Sequence, residues 1–341
     1  MSSPLKIVGI GSALVDVLAQ LPNDELLAQF KLAKGSMELV DANQSKQIID
    51  AIAHLKPSIE TGGSAANTIR AIAQLGGKTG FIGKVNNDEM GLFFQKSFED
   101  LGISFHRLQG DSPSGVASTL ITPDSERTFG TYLGAASELK PSDLNDAMFK
   151  SYDILHIEGY LVFNHNLIED ILKRAKKNGL KISLDMASFN VVEANLDFMK
   201  YLLDNYVDIV FANEEEAMAY TGKEPAEAIG IIAQQCEVTV VKVGSRGSLI
   251  QADGSIFLIP AYRVEAIDTT GAGDVYAAGF LYGMAHKLKY NQCGRIGSLL
   301  ASEVIKAVGA KIPEAAWEHI NKELDAFAWI EEEKEDKKCK K

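Results

Sequence analysis

Residues 6–11 read Lys-Ile-Val-Gly-Ile-Gly, a short run rich in β-branched residues that ends in glycine. Such a run is typical of a strand that is buried on both faces of a sheet. Comparable runs recur at residues 79–83, 154–157, 181–185, 209–212 and 239–243. Segments with helical spacing lie between them, at residues 64–75, 90–101, 166–177 and 214–220. Because strands and helices alternate, the sequence predicts an α/β fold with a doubly wound, mostly parallel sheet flanked by helices.

Two regions interrupt this alternation, and together they predict a small β lid over the mouth of the sheet. In the second region, VASTLIT (116–122) and RTFGTYL (127–133) flank the turn signal Pro123-Asp124, which predicts a β-hairpin. We expect lid segments near residues 12–45 and 112–135. Such a lid would exclude water when substrate binds.

The rest of the chain predicts helices and then a polar tail. Helical spacing continues after residue 274, at residues 275–284, 293–308 and 314–327. The final EEEKEDKKCKK has no apolar face and predicts a charged, disordered tail at residues 331–341. Since no internal repeat or linker is evident, residues 1–330 are expected to form one α/β domain with its lid.

Charge and cysteine content restrict the partners and the location. The formal net charge of −12 argues against nucleic acid, which requires clustered Lys and Arg. The three cysteines lie far apart, so the sequence predicts neither a disulfide framework nor a zinc site, and a reducing compartment fits best. The N-terminal apolar run is broken by glycines and Asp16, unlike a signal peptide, and no stretch is long enough to span a bilayer. We therefore expect a cytoplasmic protein with no nucleic-acid or membrane partner.

The segment DTTGAGD (268–274) precedes the small apolar run VYAAGFL and predicts a loop that opens a helix. Gly271, Ala272 and Gly273 would let backbone N–H groups approach an anion, and a helix N-terminus adds about half a positive charge. Asp274, in the first turn, could stay ionised and accept a proton from an attacking hydroxyl. The motif alone is equally compatible with a glycine-rich N-cap in which Asp274 merely complements the helix dipole.

Two further motifs suit sugar hydroxyls. Gly62 and Gly63 lead into a predicted helix and would expose backbone N–H groups, and Asn67 offers both a donor and an acceptor. The alternative is Ser64 as an ordinary N-cap, with Asn67 on a solvated face. Asp16 follows the first predicted strand, at the sheet edge where ligands bind in open α/β folds, although it could also simply cap a turn.

Two segments on the second half of the sheet are compatible with a nucleotide. Asn213 to Glu216 (NEEE) follows a predicted strand and could orient Mg²⁺ and its waters near phosphates. The turn from Lys242 to Gly247 follows another strand and could form a shelf for a nucleotide base. The alternatives are a charged helix start and a hairpin turn.

Several well-known catalytic motifs do not match this sequence. Leu14 stands where a dinucleotide-binding motif needs glycine, and Ile72 stands where the Walker A motif needs its first glycine. The chain has no H-R-D with a following D-F-G, no G-x-S-x-G and no metal-spaced histidine pair. His156, beside a predicted strand end, is better explained as a core or rim residue than as a ligand.

Taken together, GGSAAN (62–67), NEEE (213–216) and DTTGAGD (268–274) closely resemble the ribokinase-like PfkB family of carbohydrate and nucleoside kinases, over nearly the whole chain. The resemblance implies a ribokinase-like fold and an ATP- and Mg²⁺-dependent kinase. It implies that Asp274 is the catalytic base, with an anion hole at Gly271, Ala272 and Gly273. The implied substrate-binding residues are Asp16, Gly62, Gly63, Asn67 and, in the lid hairpin, Arg127. The implied ATP-binding residues are Thr270, Asn213, Glu216, Lys242, Gly244 and Gly247, with Glu216 near Mg²⁺ through water.

Within this family, GGSAAN, RTFGTYLGAA (127–136) and IVFANEEEA (209–217) look more like the bacterial adenosine-kinase-like members. The expected acceptor is therefore the 5′-hydroxymethyl group of a ribonucleoside, adenosine first. Phe129, Tyr132 and Tyr160 are candidate walls for the base, with core packing as the alternative.

Other functions and assembly states stay open at the level of sequence. The alternatives are a sugar kinase of ribokinase or fructokinase type, and a non-catalytic nucleoside- or sugar-binding protein of the same fold. By the resemblance, a monovalent cation such as K⁺ can act in some relatives through the loop near Asp268, and lid strands can pair into a homodimer.

Overall fold

A computed structural model describes residues 3–124 and 126–325, which form two sheets and their flanking helices. The strands are β1 (Ile7–Ile10), β2 (Leu14–Gln20), β3 (Met37–Leu39), β4 (Ser58–Gly62), β5 (Thr79–Val85), β6 (Ser104–Gln109), β7 (Gly115–Ile121), β8 (Arg127–Tyr132), β9 (Ile154–Glu158), β10 (Lys181–Asp185), β11 (Ile209–Asn213), β12 (Val238–Lys242), β13 (Ser248–Ala252) and β14 (Ser255–Ile259). The helices are α1 (Glu25–Phe30), α2 (Ala42–Ile52), α3 (Ser64–Gln74), α4 (Glu89–Asp100), α5 (His165–Lys177), α6 (Phe189–Ala194), α7 (Leu196–Asn205), α8 (Glu214–Thr221), α9 (Pro225–Ile232), α10 (Ala272–Ala285) and α11 (Tyr290–Val304). Residues 316–325 are also helical.

The larger sheet has nine strands in the order β14-β13-β12-β11-β10-β9-β1-β5-β6. The seven strands from β12 to β6 pair in parallel, and β13 and β14 add an antiparallel edge. This order confirms the predicted doubly wound, mostly parallel sheet. All six runs predicted as strands lie in this sheet.

Helices cover both faces of this sheet, because alternate residues of each strand point to opposite sides. On β11, Ile209 and Phe211 pack into the core beneath α3, α10 and α11, whereas Val210 and Ala212 pack into the core beneath α5, α7 and α9. Burial on both faces explains why the strands appear in the sequence as continuous apolar runs.

Small residues bring α10 and α11 close together. A Cβ added at Gly279 of α10 would lie 2.7 Å from the backbone nitrogen of Gly297 in α11. This close packing leaves the pair little freedom to shift, because a packed core resists small displacements. The N-terminus of α10, where DTTGAGD ends, is therefore held in a defined position above the sheet.

The smaller sheet has the order β3-β8-β7-β2-β4 and includes the predicted hairpin. β7 and β8 pair antiparallel, as the turn signal predicts, and β2 runs parallel to β7. The first lid region is more helical than expected, since it contains α1 and the start of α2, whose Ile48 packs near Gly130 of β8. β4, which completes this sheet beside β2, lies beyond the predicted segments.

The last part of the chain fits the predicted pattern approximately. The helix expected at residues 293–308 begins earlier, at Tyr290, and ends at Val304. The end of the helix expected at 314–327 and the charged tail at 331–341 lie outside the described residues. The assignment of residues 1–330 to one domain stays a prediction. Among the described helices, none combines the length and apolar character needed to cross a membrane.

Candidate active site

A cavity of about 990 Å³ opens at the carboxyl ends of the parallel strands. Asp185, Asn213 and Lys242, the last residues of β10, β11 and β12, lie in its wall. The N-terminus of α10 forms the opposite side. This is the edge at which ligands bind in open α/β sheets. Of the residues expected to bind ATP or the transferring group, those in the wall are Asn213, Glu216, Lys242, Gly244, Gly247, Gly271, Ala272, Gly273 and Asp274.

Asp274 is held by hydrogen bonds from α3. Ser64 Oγ donates to Asp274 Oδ1 at 2.7 Å, and Asn67 Nδ2 donates to Oδ2 at 2.9 Å. Burial raises the pKa of Asp274 to about 7, against the lowering effect of these two donors. The carboxylate is therefore oriented by its partners and can exchange a proton near neutral pH. A role limited to complementing the helix dipole does not account for these contacts.

The same contacts correct the simpler interpretation of GGSAAN. Gly63, not Ser64, is the N-cap of α3, and the Ser64 hydroxyl is directed at Asp274. Asn67 is not on a solvated face, since it is only 6% exposed. Among the described residues, its Oδ1 has no hydrogen-bond partner although it is buried. A buried acceptor without a partner is costly, and a ligand hydroxyl would satisfy it.

The loop before α10 has the geometry of an anion hole. Gly271 has φ +73°, and a Cβ there would lie 2.5 Å from the Cβ of Ala310, so the position requires glycine. The Ala272 N–H donates to the Thr269 carbonyl at 3.2 Å. Among the described residues, the N–H groups of Gly271 and Gly273 have no backbone acceptor, as is usual for a helix start. These two N–H groups are the ones that an anion can use.

Arg127 reaches the loop that leads into this hole. Its guanidinium forms an ion pair with the buried carboxylate of Asp268 and donates to Thr270 Oγ1 at 2.9 Å. Asp268 also accepts the N–H groups of Thr270 at 2.8 Å and of Gly309 at 2.6 Å. Arg127 therefore links strand β8 to the loop before α10. Because Arg127 already balances the charge of Asp268, this carboxylate does not fit a K⁺ site.

The glycine pair before α3 is required by close approaches of neighbouring chain. A Cβ at Gly62 would lie 2.1 Å from Asp16 Oδ1, and a Cβ at Gly63 would lie 2.1 Å from the Ser12 carbonyl oxygen. Asp16 is on β2, half-buried, and does not cap a turn. Burial raises its pKa to about 7, although the nearby Arg70 guanidinium opposes the rise. Asp16 is thus packed against Gly62, and the binding of substrate by Asp16, Gly62 and Gly63 stays a prediction.

Glu158 is a buried residue that the sequence analysis missed. Its carboxylate accepts the Ser12 N–H at 2.8 Å and the Ala65 N–H at 3.1 Å, so it ties the turn after β1 to the start of α3. Burial raises its pKa. Glu158 is the last residue of β9, so the rule that singled out Asp16 at a strand end would also have singled out Glu158.

Arg70 links the glycine turn before α3 to the chain beneath the anion hole. It donates to the Thr61 carbonyl at 2.7 Å and to the Ala310 carbonyl at 2.8 Å. Ala310 is the residue against which Gly271 packs. A contact between residues 240 positions apart leaves no local sequence signal, so this link could not have been found from spacing.

The motif NEEE forms the helix start that the simpler interpretation predicts. Asn213 Oδ1 accepts the Glu216 N–H at 2.8 Å, and Glu216 Oε2 accepts the Asn213 N–H at 2.7 Å, which is a capping box at α8. Glu216 nevertheless lines the cavity. Burial and the neighbouring Asp185 raise the pKa of Glu216 to about 7.

One carboxylate at this wall fits a magnesium ion that is held mainly by phosphates. Glu216 supplies oxygen donors to the cavity, whereas Asp185 is paired with Lys242. Among the described residues no cluster of three or more ligating side chains forms a metal cage. Mg²⁺ retains waters and binds one or two carboxylates together with substrate phosphates, so a single carboxylate without a cage suits it.

The turn after Lys242 joins β12 to β13 as an antiparallel hairpin. Gly247 has φ +97°, and a Cβ there would lie 1.9 Å from the Ile259 carbonyl oxygen, so the turn itself requires glycine. The hairpin interpretation is therefore correct, and the same turn lines the cavity. The Lys242 ammonium lies at the other end of this wall, beside Gly273.

The three aromatic residues proposed to line a pocket for the nucleoside base, Phe129, Tyr132 and Tyr160, lie in different parts of the structure. Tyr160 lines the cavity and is 39% exposed. Phe129 shares a face of β8 with Arg127, because residues two apart on a strand point the same way. Tyr132 is on the opposite face, near Gly134, so it cannot form a wall on the side of Phe129.

An ionisable carboxylate beside a helix N-terminus, facing a cavity at the carboxyl edge of a parallel sheet, is suited to the transfer of a phosphoryl group to a hydroxyl of a small molecule. Comparison with known proteins gives the family. A sequence profile of the pfkB family carbohydrate kinases matches residues 39–317. The chain belongs to this family, as its motifs predict.

Similar proteins include both sugar and nucleoside kinases. A probable sugar kinase from Rhizobium etli is 30% identical, with a TM-score of 0.84 over 95% of this chain and 99% of that one. Adenosine kinase from Sinorhizobium meliloti is 30% identical, with a TM-score of 0.83 over 94% of this chain and 100% of that one. A 5-dehydro-2-deoxygluconokinase from Listeria monocytogenes is 28% identical over 81% of this chain and 92% of its own length.

Proposed function

We propose that this chain transfers the γ-phosphoryl group of ATP to the 5′-hydroxyl of a ribonucleoside, adenosine first. The observation that carries the proposal is the position of Asp274, which faces the cavity while Ser64 and Asn67 orient both of its oxygens. A base so placed lies between an acceptor near α3 and a triphosphate near α10. Positioning and electrostatics supply most of the catalysis in phosphoryl transfer.

The acceptor side offers hydrogen bonds for a ribose. Asp16 supplies a carboxylate, and the buried Oδ1 of Asn67 supplies an acceptor without a partner among the described residues. Asn67 donates to Asp274 through its amide nitrogen, so a sugar hydroxyl bound at Oδ1 would lie next to the base. Holding the hydroxyl there converts the transfer into an effectively intramolecular step.

The lid sheet continues from Asp16 as an apolar surface. Its register places Asp16 beside Ala117 of β7 and Ala117 opposite Thr131 of β8, so these residues share a face. Phe129, two residues from Thr131, shares that face and pairs with Met37 on β3, which is 52% exposed. Strands are about 4.8 Å apart, so Phe129 lies roughly 10 Å from β2. That distance suits a purine attached to a ribose at Asp16 and favours a nucleoside over a bare sugar.

The face that carries Phe129 is directed toward the reaction site. Arg127, on the same face, reaches Thr270 in the loop before α10. On the same face, but on β2 instead of β8, Leu18 lies 3.3 Å from the position of a Cβ on Gly309. These contacts support a lid that covers the site, and an acceptor beneath it would be shielded from water, which limits wasteful ATP hydrolysis.

The proposed reaction uses the residues in this order. The acceptor hydroxyl, held by Asp16, Gly63 and Asn67, gives its proton to Asp274 as its oxygen attacks the γ-phosphorus in line. The bond between the γ-phosphorus and the β–γ bridging oxygen breaks as the new P–O bond forms, and ADP leaves. The N–H groups of Gly271 and Gly273 stabilise charge on the transferring phosphoryl group. Glu216 would hold Mg²⁺ through water, and that ion would neutralise phosphate charge when bound.

A sugar kinase is the second candidate, supported by the likeness to the Rhizobium and Listeria proteins. A non-catalytic binding protein is disfavoured because Asp274, its two donors and the anion hole are all in place. A homodimer through the lid strands stays a prediction.

A transfer screen with radiolabelled ATP tests the proposal. The acceptors are adenosine, other ribonucleosides, ribose, fructose, fructose phosphates and 5-dehydro-2-deoxygluconate. We expect adenosine to give the highest kcat/KM. If label enters only free sugars, sugar phosphates or sugar acids, the nucleoside proposal is wrong, and the kinase proposal stands.

Variants of the lid test the base surface. Phe129→Ser should raise KM for adenosine by about tenfold, the cost of losing one well-buried aromatic contact, with little effect on any activity toward ribose. Tyr132→Ser, on the opposite face, is the matched control for lid damage. Equal losses in the two variants would contradict the base surface.

A further inference from the structure

We propose that Lys242 is a catalytic residue whose ammonium binds the transferring phosphoryl group, and that Asp185 holds this ammonium in place before ATP arrives. The inference rests on the proposed kinase function and deepens it. Lys242 then belongs to the phosphate end of the cavity, whereas the sequence analysis placed the turn from Lys242 to Gly247 at the nucleotide base.

The strand register explains why these two side chains meet at the anion hole. Asp185 pairs with Phe211 of β11, and Phe211 pairs with Val240 of β12. Lys242, two residues beyond Val240, therefore shares a face of the sheet with Asp185. It is the face covered by α10, since Phe211 packs edge-on against Phe280 of that helix. The ammonium thus emerges where α10 begins.

The distances place the ammonium over the hole itself. Lys242 Nζ lies 2.9 Å from Asp185 Oδ2 and 3.0 Å from the position of a Cβ on Gly273. The glycine leaves the space that the ammonium occupies. An anion at the Gly273 N–H therefore lies beside Nζ. A lysine ammonium has three N–H donors, and the hydrogen bonds of the described residues use one of them.

The charges of the cavity require a cation at this position. Lys242 faces the carboxyl groups of Asp185, Glu216 and Asp274. A γ-phosphate that approached Asp274 would otherwise meet three acidic side chains. Within the described wall of the cavity the cationic side chains are Lys242 and Arg263, and Lys242 is the one whose Nζ lies 3.0 Å from the position of a Cβ on Gly273.

A purely structural ion pair is the alternative, and the chain provides an example of one. Lys84 and Asp143 are 2.8 Å apart and similarly buried. Lys84 also donates to the Glu138 carbonyl, and neither member of that pair lines the cavity. Lys84→Met is therefore a matched control for the loss of a buried, paired lysine.

The test compares two nucleotides by calorimetry in the presence of Mg²⁺, and so needs no acceptor. For Lys242→Met we expect affinity for a non-hydrolysable ATP analogue to fall by roughly tenfold or more, the value of a charge-assisted contact, while affinity for ADP changes less than about threefold. With any acceptor that the wild type uses, kcat should fall on the order of 100-fold, as when one transition-state donor is removed. Lys242→Arg should recover part of both losses. Lys84→Met should change neither quantity.

The outcomes separate this inference from the proposed function. Equal losses of ADP and ATP-analogue affinity in Lys242→Met, or normal kcat, would overturn the role of Lys242. A wild type that binds no nucleotide would instead overturn the kinase proposal. If Lys242→Met fails to fold because Asp185 is left unpaired, the charge-balanced variant Asp185→Asn/Lys242→Met is measured instead. The preferential loss of the ATP analogue must persist there, and its absence would also overturn the inference.

Discussion

Replacing Asp274 with asparagine tests the central contact of the site. Asparagine has nearly the same shape, so it can still accept from Asn67 and donate to the Ser64 hydroxyl, which are the present partners of Asp274. It cannot take a proton from the acceptor. We expect kcat to fall by about 10²- to 10⁴-fold, the usual contribution of a general base. Calorimetry should show unchanged binding of an ATP analogue.

The pH dependence supplies a second measurement. With a pKa of about 7 for Asp274, the ionised fraction is about 0.1 at pH 6 and about 0.9 at pH 8, so kcat/KM should rise about tenfold over this range. Asp16 and Glu216 also have pKa values raised to about 7. The rise should therefore persist in Asp16→Asn and Glu216→Gln, whatever activity these variants retain. If either variant abolishes the rise, the titration belongs to that residue and not to Asp274.

Stability should change in the direction opposite to activity. The folded pKa of Asp274 lies above its ordinary value of 3.8, so the folded state binds this proton more tightly than the unfolded state. The contribution of Asp274 to the free energy of unfolding is then lost as pH rises from about 4 to 7. At pH 8, Asp274→Asn should have a Tm equal to or above that of wild type. Near-normal turnover, or a large drop in Tm, would refute the assignment of Asp274 as a buried base.

Two further substitutions test the loop before α10. In Gly271→Ala the new Cβ would lie 2.5 Å from Ala310, and we expect kcat/KM to fall on the order of 100-fold. Gly222→Ala is the control for backbone strain, because Gly222 has a similar φ of +71° but open space around it. Equal effects of the two substitutions on kcat/KM would contradict the anion hole. Arg127→Met leaves the buried Asp268 unpaired and should cost about 3–5 kcal/mol of unfolding free energy in urea titration. Arg127→Met/Asp268→Asn should recover most of that loss, and an unchanged stability of the single variant would contradict the ion pair.

The fold was predictable where burial leaves a strong local pattern. The strand at Lys181–Asp185 has the predicted bounds, because a strand buried on both faces is a continuous apolar run that stops where the chain leaves the sheet. The pattern failed for two edge strands, β6, which mixes polar and apolar residues, and β14, which is apolar but has Ile256 and Leu258 exposed. It also failed for α2, whose apolar face packs under the lid and not on the main sheet.

The site was predictable at its motifs but not in its contacts. Glycine and acid at strand ends and helix starts singled out Asp274, Asp16 and Asn67. Their partners come from distant parts of the chain, since Ser64 and Asp274 are 210 residues apart. Glu158 followed the same rule as Asp16 and could have been found, whereas the link from Arg70 to Ala310 required the structure.

The support of Gly271 by Ala310 also sets an order of assembly. The hole is built from residues 271–273, yet the chain that supports it, Gly309 and Ala310, is synthesised 36 to 39 residues later. A ribosome makes protein from the N-terminus, so all strands of the lid and of the main sheet are synthesised before the residues that support this pocket. The anion hole is therefore among the last parts of the protein to receive its supporting contacts. A chain that stops before residue 309 would lack the Gly309 N–H that Asp268 accepts and the Ala310 side chain against which Gly271 lies.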